Sequence, residues 1–328
     1  MKLNTNFSQF KKKHKKKQNQ VIFHQTKCKK NKTIENIINN FLIKKNSFIF
    51  ESVEKRRIRG RYTIIGGDPD KIWEFNKKKI LLYNNNKKIN IKGSPYKYLK
   101  NLIENFNFPI PKELPSICSL LVGYFSYDII RYIEKIPNKC KEDILIPDVR
   151  LMRPKTIIIH DNLHKKIYFI INCFADQKIN NYEKFYLNQI EYIRKIKELS
   201  LFSPHKEEIK KYKNKKIYVK SNITKEKFKN IVVKAKNYIK KGDIFQVVLS
   251  QRFEAKLTKT PLEIYKKLRI LNPSPFMYFF NFKDFQIIGS SPEILVRLRN
   301  GKITIRPIAG TRPRGSNKKK INFIKLNY

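Results

Sequence analysis

The segment between Gly242 and Gly315 constrains the fold most strongly, because short strand-like runs alternate in it with proline and glycine turns. A capping box at Thr260-Pro261-Leu262-Glu263 predicts a helix from there to about Leu271. Hairpin-connected strands with inserted helices indicate an α+β fold, with mostly antiparallel sheets packed as a sandwich and flanked by helices. Strands are predicted in this segment at 244–254, 276–281, 285–290, 294–299 and 302–307.

The preceding part of the chain shows the same mixture of elements. Apolar residues recur every three or four positions in the predicted helices, which are at 33–42, from Ser94 onward, at 181–199 and from Thr224 to Gly242. Alternating patterns predict strands at 48–50, 61–65, 71–75, 79–83, 87–91, 117–125 and 155–173. The sequence Gly66-Gly67-Asp68-Pro69 is interpreted as a turn between two of these strands, with Asp68 and Asp70 as turn residues.

Composition divides the chain into four stretches. Residues 1–32 are predicted to be a basic disordered tail, because the run KKKHKKK at 11–17 favours a solvated tail over an RNA-binding arm. An N-terminal domain is expected at 33–202, followed by a polar, charge-rich linker at 203–222 and a second domain at 223–328.

The net charge of +47 raises the question of an anionic partner. The excess is lysine scattered over nearly every predicted element, and it accompanies abundant asparagine and isoleucine, which mutational bias towards A+T explains. We therefore expect no specific nucleic-acid partner. No apolar run approaches the length of a membrane span, so no membrane partner is expected, and four widely spaced cysteines fit a reduced, cytoplasmic protein.

Four sequence motifs resemble those of the chorismate-binding enzymes, and in particular of the anthranilate synthase component I group. They are ESVEKRRIRGRY at 51–62, GDIFQVVLSQRF at 242–253, NPSPFM at 272–277 and RPIAGTRPRG at 306–315. The resemblance extends back to about residue 33. It implies an N-terminal regulatory domain followed by an incomplete chorismate-binding domain.

The resemblance also implies a reaction and its partners. Chorismate and ammonia would be converted to anthranilate and pyruvate in tryptophan biosynthesis, with Mg²⁺ as cofactor. A glutamine amidotransferase subunit, anthranilate synthase component II, would supply the ammonia, and L-tryptophan would act as feedback inhibitor.

The implied substrate site contains Gln246, Gly310 and Thr311. Relatives that add water to the ring carry a lysine base at the position of Gln246, and a glutamine cannot take a proton, which is consistent with ammonia as the nucleophile. Gly310 and Thr311 match the family's chorismate contacts, a backbone amide and a hydroxyl that can hold a carboxylate. Ala309 favours this group over the aminodeoxychorismate synthases, which commonly have a lysine there.

The implied tryptophan site combines Ser52 with Pro275, Phe276 and Met277. The hydroxyl of Ser52 and the carboxylate of Glu51 would suit the two ends of a free amino acid. Aromatic and methionine side chains suit an indole ring, although Phe276 stands where the family usually has tyrosine.

The family's magnesium glutamates and its general acid/base histidine belong to motifs that follow GTRPRG, and these motifs do not occur in this sequence. We therefore expect a C-terminally truncated chain without a metal site and without activity, and a frameshift in the codons of Lys318-Lys319-Lys320 as its origin. The alternatives are a catalytically dead remnant that binds tryptophan or the partner subunit, and an aminodeoxychorismate synthase component I. His160 and His164 are interpreted as turn histidines rather than metal ligands.

Overall fold

The computed structural model describes residues 2–28, 31–53, 60–77, 79–85, 87–139, 142–202, 217–299 and 301–305. The chain divides into two compact units, one formed by Met1–Pro204 with Tyr265–Tyr328 and the other by His205–Ile264. The helices are α1 (Phe7–Lys15), α2 (Asn31–Phe41), α3 (Pro95–Glu104), α4 (Tyr182–Leu199), α5 (Lys225–Lys241) and α6 (Pro261–Leu271). The strands are β1 (Gln20–Lys27), β2 (Ser47–Glu51), β3 (Tyr62–Asn76), β4 (Lys79–Asn84), β5 (Lys87–Ile91), β6 (Val122–Phe125), β7 (Val149–Asp161), β8 (Lys166–Cys173), β9 (Val219–Ser221), β10 (Phe253–Ala255), β11 (Phe276–Asn281), β12 (Gln286–Ser291), β13 (Arg297–Arg299) and β14 (Lys302–Thr304).

One sheet of ten strands organises the first unit. Its main path runs β1-β8-β7-β3-β2-β11-β12, while β4 and β5 continue from β3, and β6 pairs with β7. Every pairing in it is antiparallel, which confirms the α+β class and the antiparallel character expected from the sequence. Strands β13 and β14 form a separate two-stranded ribbon.

The strand β3 is continuous through the expected turn at 66–69, so that expectation was wrong. Its register against β7 shifts between Pro69 and Lys71, which makes a β-bulge, and Asp68 has a positive φ of 50°. Such a bulge accommodates the Gly-Gly-Asp-Pro sequence without ending the strand. Asp70 is buried and forms an ion pair with Arg153 at 2.6 Å rather than lying in a solvated turn.

The expectation of a disordered tail at 1–32 was also wrong. Strand β1 pairs with β8 over its whole length, and Ile22 is fully buried. Helix α1 begins with a capping box between Asn6 and Gln9, and its Phe10 is fully buried. The composition of residues 1–32 predicted a tail because lysines dominate it. The few apolar side chains of this segment are nevertheless spaced so that they reach the core.

Helices cover the sheet through the apolar faces that their periodicity predicted. Helix α2 buries Ile37, Ile38 and Phe41, and α4 buries Ile193 and Ile196. The main core joins residues from β1, β2, β3, β7 and β11 with aromatic side chains that follow the strands. This packing holds β2 and β11 in place side by side within the sheet.

The second unit contains α5 and the two-stranded pair of β9 with β10. Helix α5 begins at the Thr224 N-cap and ends at Gly242 in the left-handed conformation, as predicted. The strand expected at 244–254 was largely wrong, since only Phe253–Ala255 is a strand. An alternating pattern makes a strand only where a neighbouring strand can accept its hydrogen bonds, and among the residues that the structure describes only β9 does so here.

The units do not follow the expected boundary at residue 223, because β11 and β12 belong to the large sheet of the first unit. Residues 203–216 of the expected linker lie outside the described residues, and residues 219–221 of it form β9. Within the described residues, no helix is long and apolar enough to span a membrane.

Candidate functional site

Two motifs far apart in the sequence meet where β2 ends and β11 begins. Met277 pairs with Glu51 in the antiparallel register, and the backbone amide of Val53 donates to the carbonyl of Ser274 at 2.9 Å. Extending this register by one residue places Ser52 opposite Phe276. The structure therefore brings together Ser52 and the segment 275–277, the four residues that the sequence predicted for a tryptophan site.

The four residues differ in how they meet solvent. Ser52 and Pro275 are half-buried, Phe276 is 38% exposed, and Met277 is only 1% exposed. The Ser274 hydroxyl donates to the Met277 sulfur at 3.4 Å, which holds that side chain against the sheet. The arrangement presents a serine hydroxyl beside an accessible aromatic ring, which suits an aromatic amino acid, while the buried Met277 shares the other face of the sheet with Glu51.

Gly60 closes one side of this arrangement. A Cβ atom added at Gly60 would lie 2.3 Å from the Ser52 carbonyl oxygen and 2.4 Å from its Cβ. The glycine of the Arg-Gly-Arg-Tyr sequence is therefore required for the close approach of the two backbones. The intervening residues 54–59 lie outside the described residues.

Glu51 does not face the ligand position that its sequence suggested. Its carboxylate is buried and accepts a hydrogen bond from the hydroxyl of Tyr265 at 2.6 Å. Arg269 lies 3.2 Å from the same oxygen and 2.7 Å from a carboxylate oxygen of Glu35. Successive strand residues point to opposite faces, so Glu51 and Ser52 cannot both serve one ligand from the same face, and the expected role for Glu51 is corrected.

Burial dominates the electrostatics of this cluster. The pKa of Glu51 is raised above its ordinary value because burial disfavours the charged form, while Arg269 and Tyr265 partly oppose that shift. Burial also raises the pKa of Tyr265, and the neighbouring Glu51 carboxylate adds to the effect. The pair is therefore a fixed structural contact between β2 and α6, with Tyr265 as the hydrogen-bond donor.

The predicted substrate residues are not brought together by the described part of the chain. Gln246 belongs to the second unit and is exposed, in a segment without regular secondary structure. Gly310 and Thr311 lie outside the described residues, as does Ala309. Their role in holding chorismate therefore stays a prediction.

No group of three or more histidine, cysteine or acidic side chains is placed to hold a metal in the parts of the chain that the structure describes. The Mg²⁺ that the resemblance implies therefore stays an expectation. His160 lies within β7 and His164 follows its end. The Nδ1 atom of His164 is 2.9 Å from a carboxylate oxygen of Asp161, an acidic partner that the sequence analysis missed.

The first unit also contains a cavity of about 850 Å³ that no sequence pattern predicted. Arg150 lines it and is almost completely buried, with its guanidinium 3.2 Å from Glu74 and over the ring of Phe285. The sequence signal was an arginine inside the apolar strand β7, since a charged residue in such a run is rarely buried without partners.

Comparison with known proteins identifies the family of the chain. Residues 45–322 match the family model described as chorismate binding enzyme. The chain is 39% identical over 277 residues to "Anthranilate synthase component 1" of Acetivibrio thermocellus, covering 83% of this chain and 56% of the relative. It is 42% identical over 223 residues to the protein of the same name from Aquifex aeolicus, covering 67% of this chain and 44% of the relative.

A solved structure of a relative is also similar to this chain. The crystal structure of anthranilate synthase component I from Streptococcus pneumoniae TIGR4 is similar with a TM-score of 0.61 and 31% identity, covering 77% of this chain and 55% of the other. The chain thus spans about half the length of the relatives that it matches. Because the family model matches most of its residues, this chain belongs to the family of chorismate binding enzymes.

Proposed function

We propose that this chain forms the chorismate-binding part of an anthranilate synthase component I. The complete reaction would convert chorismate and ammonia to anthranilate, pyruvate and water. The observation that carries this proposal is the 39% identity over 277 residues to a relative named as that enzyme component. Ala309, where aminodeoxychorismate synthases commonly have lysine, supports the tryptophan-pathway reaction over that of the aminodeoxychorismate synthases.

Gln246, Gly310 and Thr311 are the residues that we assign to the substrate. Gln246 offers an amide that hydrogen-bonds without taking a proton, so it suits ammonia, which needs no deprotonation before it attacks. The Gly310 amide and the Thr311 hydroxyl would hold a substrate carboxylate by charge-assisted hydrogen bonds. No step is assigned to Mg²⁺, because the described residues hold no cluster that fits it. The ammonia would come from a glutamine amidotransferase partner.

We further propose that Ser52, Pro275, Phe276 and Met277 bind L-tryptophan as a feedback inhibitor. The pairing of β2 with β11 keeps the serine hydroxyl close to the backbone of the proline-containing segment. Pro275 has no amide proton, so this backbone leaves carbonyl oxygens available to a ligand ammonium group. Phe276 provides the apolar surface for the indole, and Met277, buried on the Glu51 face, fixes the strand that carries it.

The catalytic proposal is tested with a fusion protein. The part of the Acetivibrio relative that lies beyond the match would be joined to this chain, and the fusion incubated with chorismate, ammonium and Mg²⁺. We expect anthranilate, detected by its fluorescence and identified by chromatography. Formation of 4-amino-4-deoxychorismate instead would support the alternative enzyme, and a Gln246→Lys fusion that makes anthranilate at the unchanged rate would contradict the role given to Gln246.

The regulatory proposal is tested by calorimetry with L-tryptophan on the chain itself. Loss of one hydrogen bond from Ser52 is worth about 1 kcal/mol, so Ser52→Ala is expected to weaken binding roughly fivefold to tenfold. Ser116→Ala removes an exposed serine hydroxyl elsewhere in the same unit and serves as the matched control. Equal affinities of the Ser52→Ala and Ser116→Ala variants for L-tryptophan would show that Ser52 is not part of the site.

A further inference from the structure

We propose that α1 is a docking surface for the phosphate backbone of nucleic acids, bound without sequence preference. The surface, here called the α1 lysine surface, consists of the lysines of the KKKHKKK run. They are Lys11, Lys12, Lys13, Lys15, Lys16 and Lys17.

The fold holds the charges of the α1 lysine surface in place. Helix α1 begins at a capping box, and the Phe10 ring is fully buried, with its centroid 5.8 Å from that of Phe185 on α4. His14 is buried beside Tyr182, with 3.3 Å between its Nδ1 atom and the tyrosine oxygen. A disordered tail would spread its charges over many conformations, whereas this docked helix keeps them within about two turns.

The lysines of this surface point away from the buried side of the helix. All six are exposed, while Phe10 and His14 on the same helix are buried. At 3.6 residues per turn, the lysines from 11 to 16 spread over the side of the helix opposite the buried pair. A broad arc of cations fits a line of phosphates better than it fits the narrow edge of a base.

The segment that carries the α1 lysine surface supplies no anions of its own. Its sequence contains no aspartate or glutamate before Glu35. The nearby lysines repel one another, and a chain of phosphates would relieve that repulsion and release its bound counterions. Helix α5 carries seven lysines, but they are spread over 17 residues, whereas the six of the α1 lysine surface lie within seven.

An anionic membrane is the less suitable partner. Helices that lie on membranes insert an apolar face into the lipid, in addition to their basic face. The apolar face of α1 is already used inside the protein, because Phe10 is fully buried. Nucleic acid requires only the cations that remain exposed.

The experiment measures binding of the whole chain to a fluorescein-labelled, mixed-sequence RNA of about 20 nucleotides, by anisotropy over a series of salt concentrations. One variant replaces the six lysines of the α1 lysine surface by glutamine. The matched control replaces six exposed, scattered lysines by glutamine, so that both variants lose the same charge. The control positions are Lys88, Lys97, Lys135, Lys195, Lys229 and Lys283.

If all six lysines contact phosphates, the slope of log K against log salt concentration decreases in magnitude by about 4 in the α1 variant. We expect its affinity to fall about 100-fold near physiological salt, and that of the control to fall by less than about fivefold. A six-arginine variant of the same surface should bind as the unmodified chain does. Equal weakening of RNA binding in the α1 variant and in the control would overturn the proposal, because binding would then depend only on the net charge of the chain.

Two further measurements keep the test decisive. Acetylation of the unmodified chain, read by mass spectrometry, should show that RNA protects the α1 lysines more than the six control lysines; equal protection would contradict the proposal even if the glutamine variant failed to fold. Binding to phosphatidylserine vesicles is measured in parallel. If vesicle binding depends on the α1 lysines and RNA binding does not, the proposal is overturned. The partner of the α1 lysine surface would then be an anionic membrane.

Discussion

Tyr265 donates a hydrogen bond to Glu51 across 2.6 Å, and both side chains are buried. The bond joins helix α6 to the end of β2, one residue before Ser52. Arg269, one turn further along α6, lies against the same carboxylate oxygen. The candidate tryptophan site is therefore built on a strand end that α6 fixes from the opposite face of the sheet.

The Tyr265 hydroxyl is expected to contribute measurably to stability. Tyr265→Phe keeps the ring but leaves a buried carboxylate with one donor fewer, so the free energy of unfolding should fall by about 1–3 kcal/mol. Urea denaturation measures the change. Tyr96→Phe is the matched control, because Tyr96 is 43% exposed, and it should change stability by less than about 0.5 kcal/mol. A loss of stability no larger than that of the control would show that the Tyr265 hydroxyl is not needed for stability.

The raised pKa of Glu51 predicts a pH dependence of stability. At a pH above 4.5, the ordinary pKa of a glutamate, and below the pKa of Glu51 in the folded state, the folded protein keeps a proton that the unfolded chain has released. The contribution of Glu51 to the free energy of unfolding therefore decreases as the pH rises through this window. The Glu51→Gln variant has no titratable proton at this position, so its stability lacks this contribution.

Urea denaturation of both proteins from about pH 4.5 to about pH 8 measures this contribution. The stability of the unmodified chain minus that of the Glu51→Gln variant should fall as the pH rises. A difference that rises with pH would mean that Arg269 and Tyr265 outweigh burial, and that the pKa of Glu51 is lowered instead.

Gly60→Ala is expected to affect the candidate tryptophan site directly. The added methyl group would lie 2.3 Å from the Ser52 carbonyl oxygen, so the end of β2 must move. Overpacking of this kind destabilises by about 1–3 kcal/mol, and calorimetry should also show weaker binding of L-tryptophan. Gly66→Ala is the control, because its methyl group would meet the Phe48 ring at 2.5 Å, away from Ser52. Tryptophan affinity that falls equally in both variants would indicate a general loss of structure.

Local patterns in the sequence predicted the elements that depend on local structure. The bounds of β11 at 276–281 agree with the prediction, as do the cap and end of α5. The adjacency of Ser52 and residues 275–277 followed only from the family resemblance, because more than two hundred residues separate them and no periodicity links them. The resemblance did not reveal that Glu51 turns away to Tyr265, since that depends on which face of β2 packs against α6.

Pairing across the sheet explains the remaining errors. The strand β1 lies directly after a lysine run, and the consecutive Val21, Ile22 and Phe23 were the signal that it has a place in the core. The Asp70 carboxylate was assigned to a turn because its partner, Arg153, is on another strand far along the chain. Composition and spacing describe a segment by itself and cannot name the strand that will lie beside it.

The buried Asp70–Arg153 contact is expected to stabilise the bulge of β3. The Arg153 guanidinium donates to both oxygens of Asp70, from Nε at 2.9 Å and from Nη2 at 2.6 Å, and it also contacts Asp176. Asp70→Ala removes the buried acid and leaves the arginine with Asp176, whose side chain is 44% exposed. Breaking a buried pair costs about 3–5 kcal/mol, and the remaining acid should reduce the loss to about 2–4 kcal/mol.

The double variant Asp70→Leu with Arg153→Met provides the control, because it removes both charges and keeps apolar volume in the bulge of β3. Replacing a buried pair by packed apolar side chains is often neutral, so the double variant should be more stable than Asp70→Ala by urea denaturation. A double variant less stable than Asp70→Ala would mean that the ion pair contributes more through its hydrogen bonds than its burial removes. The bulge would then depend on this pair for its shape, because Asp70 is the residue left over where the register between β3 and β7 shifts.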